Sequence, residues 1–500
     1  MAGLGACGLV APQFFFRVAE ASSDGDRPNM LIVVFDAFSA YHISLYGYQR
    51  ETTPNLARLA EKAVVFHNHY ANGNFTTPGT ASLLTGTLPW THRALNHNDT
   101  VAKAFVSQNL FRAFEGYHRL AYSHNLLVNT QLRQFLIDID DYTQQGQLFL
   151  ADDSFLRVLF RNDDDIASVA WNRIIKQQED GTSYSLMLPG VYDTLKSQRS
   201  EQIIEDFPRG LPNVNEDDVF ILEQGIDWLY QSLVKAPQPF LAYYHFLPPH
   251  FPYKTRNEFY NRFANDDYRA VEKPENLFAL NRSKDAKLDT WRTWYDEFIL
   301  YVDAEFARLY DYLDQNGLLE NTWVVLTSDH GELFERGISG HLTQVLYQPV
   351  VRVPLLIFEP GRTSRLDVTT PTSAIDLLPT LTHVTGGESP PWAEGEILPP
   401  YAPTSLGEHR DVFALQSKST GKTEPLLQAT AMIVRENYKL TRFWGYDQLD
   451  NDLIELYDVE NDPEELDNLV LKNQTKTAEL LAVLQAKLDQ VEQQRLDTLK

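Results

Sequence analysis

The run Met30-Leu-Ile-Val-Val-Phe-Asp36 decides how the rest of the chain is read. Six apolar residues follow one another without alternation and close on an acid. A half-solvated strand would alternate, so this one reads as buried on both faces, as in a parallel sheet between helical layers. Residues 240–246 (Phe-Leu-Ala-Tyr-Tyr-His-Phe), 322–328 and 353–358 repeat the pattern, and 322–328 is again followed by an acid, Asp329. Helical patterns lie between them. Thr53-Pro54-Asn55 opens a helix to 62, and 109–115 and 217–235 carry helical spacing. Phe298, Val302, Phe306, Leu309 and Leu313 mark one face of a helix over 291–315, closed by Asn316-Gly317. Strands alternating with helices of this length predict an α/β fold, a doubly wound sheet with helices on both faces. Chemistry in such sheets collects at the carboxyl ends of the strands, where Asp36 and Asp329 stand.

A length of 500 residues suits one large α/β unit with an appendage. The net charge of −25 would repel a phosphate backbone, so no nucleic acid is expected as partner. A small anionic substrate then needs a local positive centre. Cys7 is the only cysteine, so no intrachain disulfide can form. The small apolar start, 1–12, is like an export signal without its basic beginning. It predicts a periplasmic or extracellular protein, with a cytoplasmic one as the alternative. No later stretch reaches the roughly 18 uncharged apolar residues of a membrane span, so no integral span is expected. We read 1–27 as a signal remnant or disordered N-terminus, 28–409 as the main domain and 410–500 as a small α+β subdomain. A mainly helical insertion is expected at about 135–215, where acidic clusters replace strand patterns. In the subdomain, 430–444 reads as a hairpin, 453–457 as a strand and the chain beyond 464 as largely helical.

The polar residues at strand ends and in the adjoining loops are Asp36, Thr76, Asp329, His330, His250 and His341. Two carboxylates and an imidazole suit a divalent cation, with Zn²⁺ and Mn²⁺ fitting mixed nitrogen and oxygen ligands. A threonine hydroxyl on that cation would be acidified, which is one route to a nucleophile without a neighbouring base. Nearby histidines could hold substrate oxygens or protonate a leaving group. Spacing alone does not decide the matter, because each such residue taken singly is more often structural than catalytic. His245, inside an apolar strand run, reads as a hydrogen-bonded core residue.

Several blocks, in order, resemble the sulfatase family of the alkaline phosphatase superfamily, from about residue 28 to 469. They are NMLIVVFDAFSAYHISLYGYQRETTPNLARLAEKAVVFHNHYA at 29–71, FLAYYHFLPPHFPY at 240–253, VVLTSDHGELFERGISGH at 324–341, RVPLLIFEPG at 352–361 and LYDVENDPEELDNL at 456–469. The resemblance implies an alkaline-phosphatase/sulfatase-like sheet, a metal-dependent ester hydrolase, and a catalytic domain over 28–409. It also places the nucleophile ten residues before the glycine of Leu84-Thr85-Gly86 and two before a proline. In NFTTPGTASLLTG (74–86) that position is Thr76, with Pro78 in place and Thr77 out of register. The start of a helix is equally where a simple capping threonine stands, and where free amides favour an anion.

Two departures from the family pattern narrow the chemistry. Formylglycine-type sulfatases carry a cysteine or serine at this position and then Pro-Ser-Arg, whereas this chain has Thr76-Thr77-Pro78-Gly79-Thr80. Threonine cannot be oxidised to an aldehyde, which excludes the hydrated-aldehyde mechanism. The resemblance turns instead to phosphodiesterase and phospho-transfer branches that form a covalent phosphothreonine. Where the family carries two acids at the end of the first strand, this chain has Asp36 and then Ala37. A calcium site wanting six or more oxygens would be short of ligands. One Zn²⁺ or Mn²⁺ on Asp36, Thr76, Asp329 and His330 is therefore preferred over Ca²⁺ or Mg²⁺. His250 and His341 become the substrate ligands and proton carriers. His124 falls near the family's basic substrate contact.

The expected activity is metal-dependent hydrolysis of a phosphoric (diester or phosphonate) or sulfuric ester through Thr76. The substrate is a small anionic ester, glycan- and lipid-derived ones among the options. The alternatives are a sulfuric ester hydrolase without formylglycine, a phospho-group transferase, and a catalytically inactive binding module of the same fold. Ala37 favours the last of these, and the retained Asp36, Thr76, Asp329 and His330 oppose it.

Overall fold

The computed structural model describes residues 27–149, 203–214, 218–279, 285–402 and 410–498. The opening run is β1 (Asn29–Asp36), buried throughout, in the interior of an eight-stranded sheet. Its companions in chain order are β2 (Val64–Phe66), β3 (His118–Ser123), β4 (Asp141–Tyr142), β5 (Phe240–Pro249), β6 (Thr322–Thr327), β7 (Leu355–Phe358) and β8 (Leu366–Val368). Side by side they run β8-β2-β7-β6-β1-β5-β3-β4. β7 is antiparallel to both of its neighbours, and every other pairing is parallel. The sheet is thus mixed. An apolar run buried on both faces does not encode its own direction.

Alternate residues of β1 serve the two faces. Met30, Ile32 and Val34 join Leu241, Tyr243 and Val325 beneath the helix Thr76–Thr85, which contributes Ala81 and Leu84. Leu31, Val33 and Phe35 join Ala242, Tyr244 and Phe246 beneath the helices Leu222–Lys235 and Asp285–Gln315. The Phe35 ring lies 5.8 Å from that of Phe246 and 6.4 Å from that of Phe306. A large side chain buried in this way stabilises the fold by about 1.5–3 kcal/mol.

The insertion expected over 135–215 falls mostly outside the described residues, as does the N-terminal signal. Its described beginning is not wholly helical, since the short strand β4 extends the sheet by pairing with β3. The strands 411–416, 429–435, 438–444 and 453–458, labelled β9 to β12, form an antiparallel sheet in chain order. The helix Gln474–Thr498, beginning ten residues later than the expected 464, lays Leu480, Leu484 and Leu488 on Ala431, Ile433 and Leu440 of that sheet. Lys439 Nζ meets Glu465 at 2.6 Å with both side chains buried, and Glu465 also accepts from the Gln348 amide at 2.8 Å. This pair fastens the C-terminal sheet to the segment beyond His341. Among the described residues no helix is long and apolar enough to cross a membrane.

Candidate active site

Strand register places the two acids. Val34 pairs with His245 on one side and with Thr327 on the other, so Asp36 and Asp329 each stand two residues beyond one shared row. Residues two apart share a face of a strand, here the face under the helix Thr76–Thr85. Gly79 lets that helix approach, because a Cβ there would lie 2.1 Å from the Asp329 carbonyl oxygen. Thr76 Oγ1 comes to 3.3 Å from His330 Nε2. The same nitrogen is 3.4 Å from Asp36 Oδ1 and 3.7 Å from Asp329 Oδ2. Asp36, Thr76, Asp329 and His330 are thus brought together, all buried.

His245 corrects the sequence reading. Its Nδ1 meets the Tyr243 hydroxyl at 3.1 Å, but its Nε2 has no hydrogen-bond partner. That nitrogen lies between the carboxylates, 3.6 Å from Asp36 Oδ2 and 3.7 Å from Asp329 Oδ2. Asp36 Oδ1 also lacks a partner, and buried polar atoms are rarely left so. The ligand atoms of Asp36, His245 and Asp329 all lie within 4.8 Å of one another, a donor set that fits a divalent cation. The charges agree. Burial raises the Asp36 carboxyl, but His250, His245 and His330 outweigh it and hold the group well below its usual range. Burial and the Asp36 charge raise Asp329. Burial lowers the His330 imidazole, yet Asp329 and Asp36 prevail and bring it to about 9. A cation bound here would take the place of that proton.

Three further groups reach the acids, of which the sequence singles out Ala37 alone, and that only as a missing acid. Asn125 Nδ2 donates to Asp36 Oδ2 at 2.5 Å, and Thr80 Oγ1 donates to Asp329 Oδ2 at 3.4 Å. Ala37, in the left-handed region at φ 58°, turns its N–H onto Asp329 Oδ1 at 3.3 Å. A backbone donor thus stands where the family places a second acid. The only sequence signal for Asn125 was its position beside His124.

His341 and His250 gather on the same side. The His341 ring centroid is 4.3 Å from that of His330 and 4.9 Å from that of His250. Glu332, missed in the sequence, accepts from His341 Nδ1 at 3.1 Å and from the Tyr253 hydroxyl at 3.3 Å. Burial lowers the His341 imidazole to about 4 in spite of Glu332, with His330 and His250 adding to the effect. The ring is therefore neutral, its Nδ1–H on Glu332 and its Nε2 an acceptor. His124 is placed elsewhere than expected. Its ring stacks on Phe220 at 4.2 Å and lies near Phe149 and Phe246, with neither nitrogen hydrogen-bonded. Burial takes it to about 3, so it offers no cation to a substrate. A cavity of about 840 Å³ lined by Arg50, Tyr268, Lys273 and Arg292 contains none of the cluster residues.

The sulfatase family model matches residues 28–387, and that of the C-terminal part of N-sulphoglucosamine sulphohydrolase matches 341–494. Over 475 residues the chain is 26% identical to an uncharacterized sulfatase of Escherichia coli (strain K12), covering 89% of this chain and 83% of that protein. It is 24% identical over 494 residues to a multifunctional alkaline phosphatase superfamily protein of Trinickia caryophylli, covering 89% and 91%. A phosphonate monoester hydrolase of Agrobacterium radiobacter shares the fold with a TM-score of 0.64 at 19% identity, covering 94% of this chain and 96% of that one. The first of these matches takes in Asp36, the Thr76 helix and the histidine loops, and the chain belongs to the sulfatase family, as an ester hydrolase.

Proposed function

We propose that the protein hydrolyses a phosphoric diester or phosphonate ester through the Thr76 hydroxyl at a divalent metal site. The observation that carries this reading is the meeting of Thr76 Oγ1, His330 Nε2 and the Asp36–Asp329 pair in one buried cluster. Asp36, His245, Asp329 and His330 would hold the ion, which supplies Lewis-acid activation of a hydroxyl and charge neutralisation of an anionic ester. The remaining steps belong to the chain's own groups. The first turn of the helix Thr76–Thr85 presents the nucleophile at the positive end of the helix, which favours an anion. Thr76 Oγ gives up its proton to solvent water and attacks phosphorus in line, the new P–O bond forms as the ester P–O bond breaks, and the alcohol leaves opposite. His341, held by Glu332, presents Nε2, and an anionic ester beside it favours uptake of a proton for the departing oxygen. Water then cleaves the phosphothreonine.

A sulfuric ester is the second reading, favoured by the matched family and by the name of the Escherichia coli relative. Threonine at the nucleophile position favours phosphorus, and so does the name of the Agrobacterium protein. The test is bound-metal analysis with turnover of four p-nitrophenyl substrates: sulfate, phosphate monoester, phosphate diester and phenylphosphonate. Diester or phosphonate turnover that is lost in Thr76→Ala supports the lead reading. Sulfate turnover lost in the same variant moves the assignment to the second. Turnover that survives Thr76→Ala removes Thr76 as nucleophile.

A further inference from the structure

Lys418 is out of place in a chain with 68 acids against 43 lysines and arginines. Among the described residues it has no carboxylate partner. Among the described residues its polar contact is the Thr343 carbonyl at 3.4 Å, and its ammonium lies 4.6 Å from the centroid of the Phe75 ring. Phe75 immediately precedes Thr76, and Thr343 follows His341 by two residues. The Thr343 carbonyl already accepts from Asn74 Nδ2 at 2.8 Å, so it does not require the lysine. Burial alone takes the ammonium down to about 7.

Nor is the lysine there through looseness of its loop. Residues 417–424 follow β9 and are tied to the catalytic domain. Arg93 donates to the carbonyls of Gly421 at 2.9 Å and Lys422 at 2.8 Å, and Asn96 Nδ2 donates to that of Thr420 at 2.7 Å. Ser417 Oγ bonds the Gln428 carbonyl at 2.9 Å. The C-terminal subdomain thereby holds an ammonium with no counter-ion at the seam between the nucleophile's helix and the His341 loop. A desolvated cation of this kind is stabilised when an anion arrives, and an aromatic face keeps it oriented meanwhile.

We propose that Lys418 forms a second anion subsite beside Thr76, which selects esters whose alcohol part carries a negative group of its own (carboxylate, sulfate or phosphate). The proposal rests on the reading of Thr76 as the reacting centre. Lys418→Met keeps the length of the side chain and removes the charge. Two nitrophenyl esters of whichever acid group the enzyme turns over, one with a carboxylate on the ring and one without, are compared. In Lys418→Met, kcat/KM for the carboxylated ester falls about tenfold or more, mainly through KM, while the plain ester stays within about twofold. Lys418→Arg restores the preference. The melting temperature of Lys418→Met is equal to or above that of wild type, since a purely structural lysine would lower it on removal. Independently of turnover, calorimetric titration shows phosphoglycolate preferred over ethyl phosphate by wild type and not by Lys418→Met. Equal losses on both esters, no loss on either, or a phosphoglycolate preference that is absent in wild type or survives Lys418→Met overturns the proposal. Thr76→Ala run beside it reports separately on the hydrolase reading, because the titrations do not depend on turnover.

Discussion

Thr76 and Thr77 are adjacent, both buried in the first turn of one helix, and differ in what their hydroxyls meet. Thr76 Oγ1 faces His330, whereas Thr77 Oγ1 has no hydrogen-bond partner. Thr76→Ala should lower kcat by about a thousandfold or more, and Thr77→Ala by less than about tenfold, with little change in unfolding midpoint for either. His245 is a second separable case. If it ligates, His245→Ala weakens metal affinity by at least about tenfold in a chelator competition. Affinity unchanged by that substitution would return His245 to the core. The sequence put Asp36, Asp329 and His330 in one neighbourhood because each ends or follows a legible strand, and Thr76 joined them through the family resemblance; the structure brings the four together. It read His245 as a core residue because an imidazole in an apolar run looks the same whether its free nitrogen meets a core carbonyl or two carboxylates. His124 failed for the opposite reason: a position beside a strand end does not say which face the ring takes.

At the scale of elements, the long apolar runs were legible because burial on both faces leaves an unbroken pattern. β2 and β8 were not, since three residues carry no period. The attachment of the C-terminal sheet rests on charges that no period reports. Lys439→Met removes one partner of a buried pair and leaves Glu465 uncompensated, which should cost about 3–5 kcal/mol in denaturant unfolding. Glu455, on β12, is raised from about 4.5 to about 7 by burial and then by Glu465. An acid raised in the folded state contributes stability that is complete below pH 4.5 and lost as pH rises through 7. Glu455→Gln should therefore be the more stable protein at pH 8, by about 2–3 kcal/mol, with the difference vanishing near pH 4. A stability curve of the same slope in both proteins would show that the charge is accommodated.

For the whole molecule, a net charge of −25 and two buried acids at one sheet end mean that a cation held there would stabilise the fold. Chelation should lower the unfolding midpoint and abolish turnover, and Zn²⁺ or Mn²⁺ should restore both. An ion at a hundred times its dissociation constant stabilises by about 2.7 kcal/mol. Because His330 holds its proton up to about 9 without an ion, metal uptake releases protons, and the uplift should shrink as pH falls. An uplift independent of pH would place the ion away from this cluster.

Apolar runs, helix spacing and the blocks around Thr76, Asp329 and His330 determined the α/β class, the family and the neighbourhood of Thr76 by sequence alone. Those properties depend on residue type and spacing along one chain. Only the tertiary structure decided the direction of β7, the meeting of His245 and Asn125 with the buried acids at the sheet end, the backbone donor at Ala37 and the arrival of Lys418 beside Phe75. Each of these is a contact between segments far apart in the chain, set by strand register and packing, and local periodicity carries no record of them.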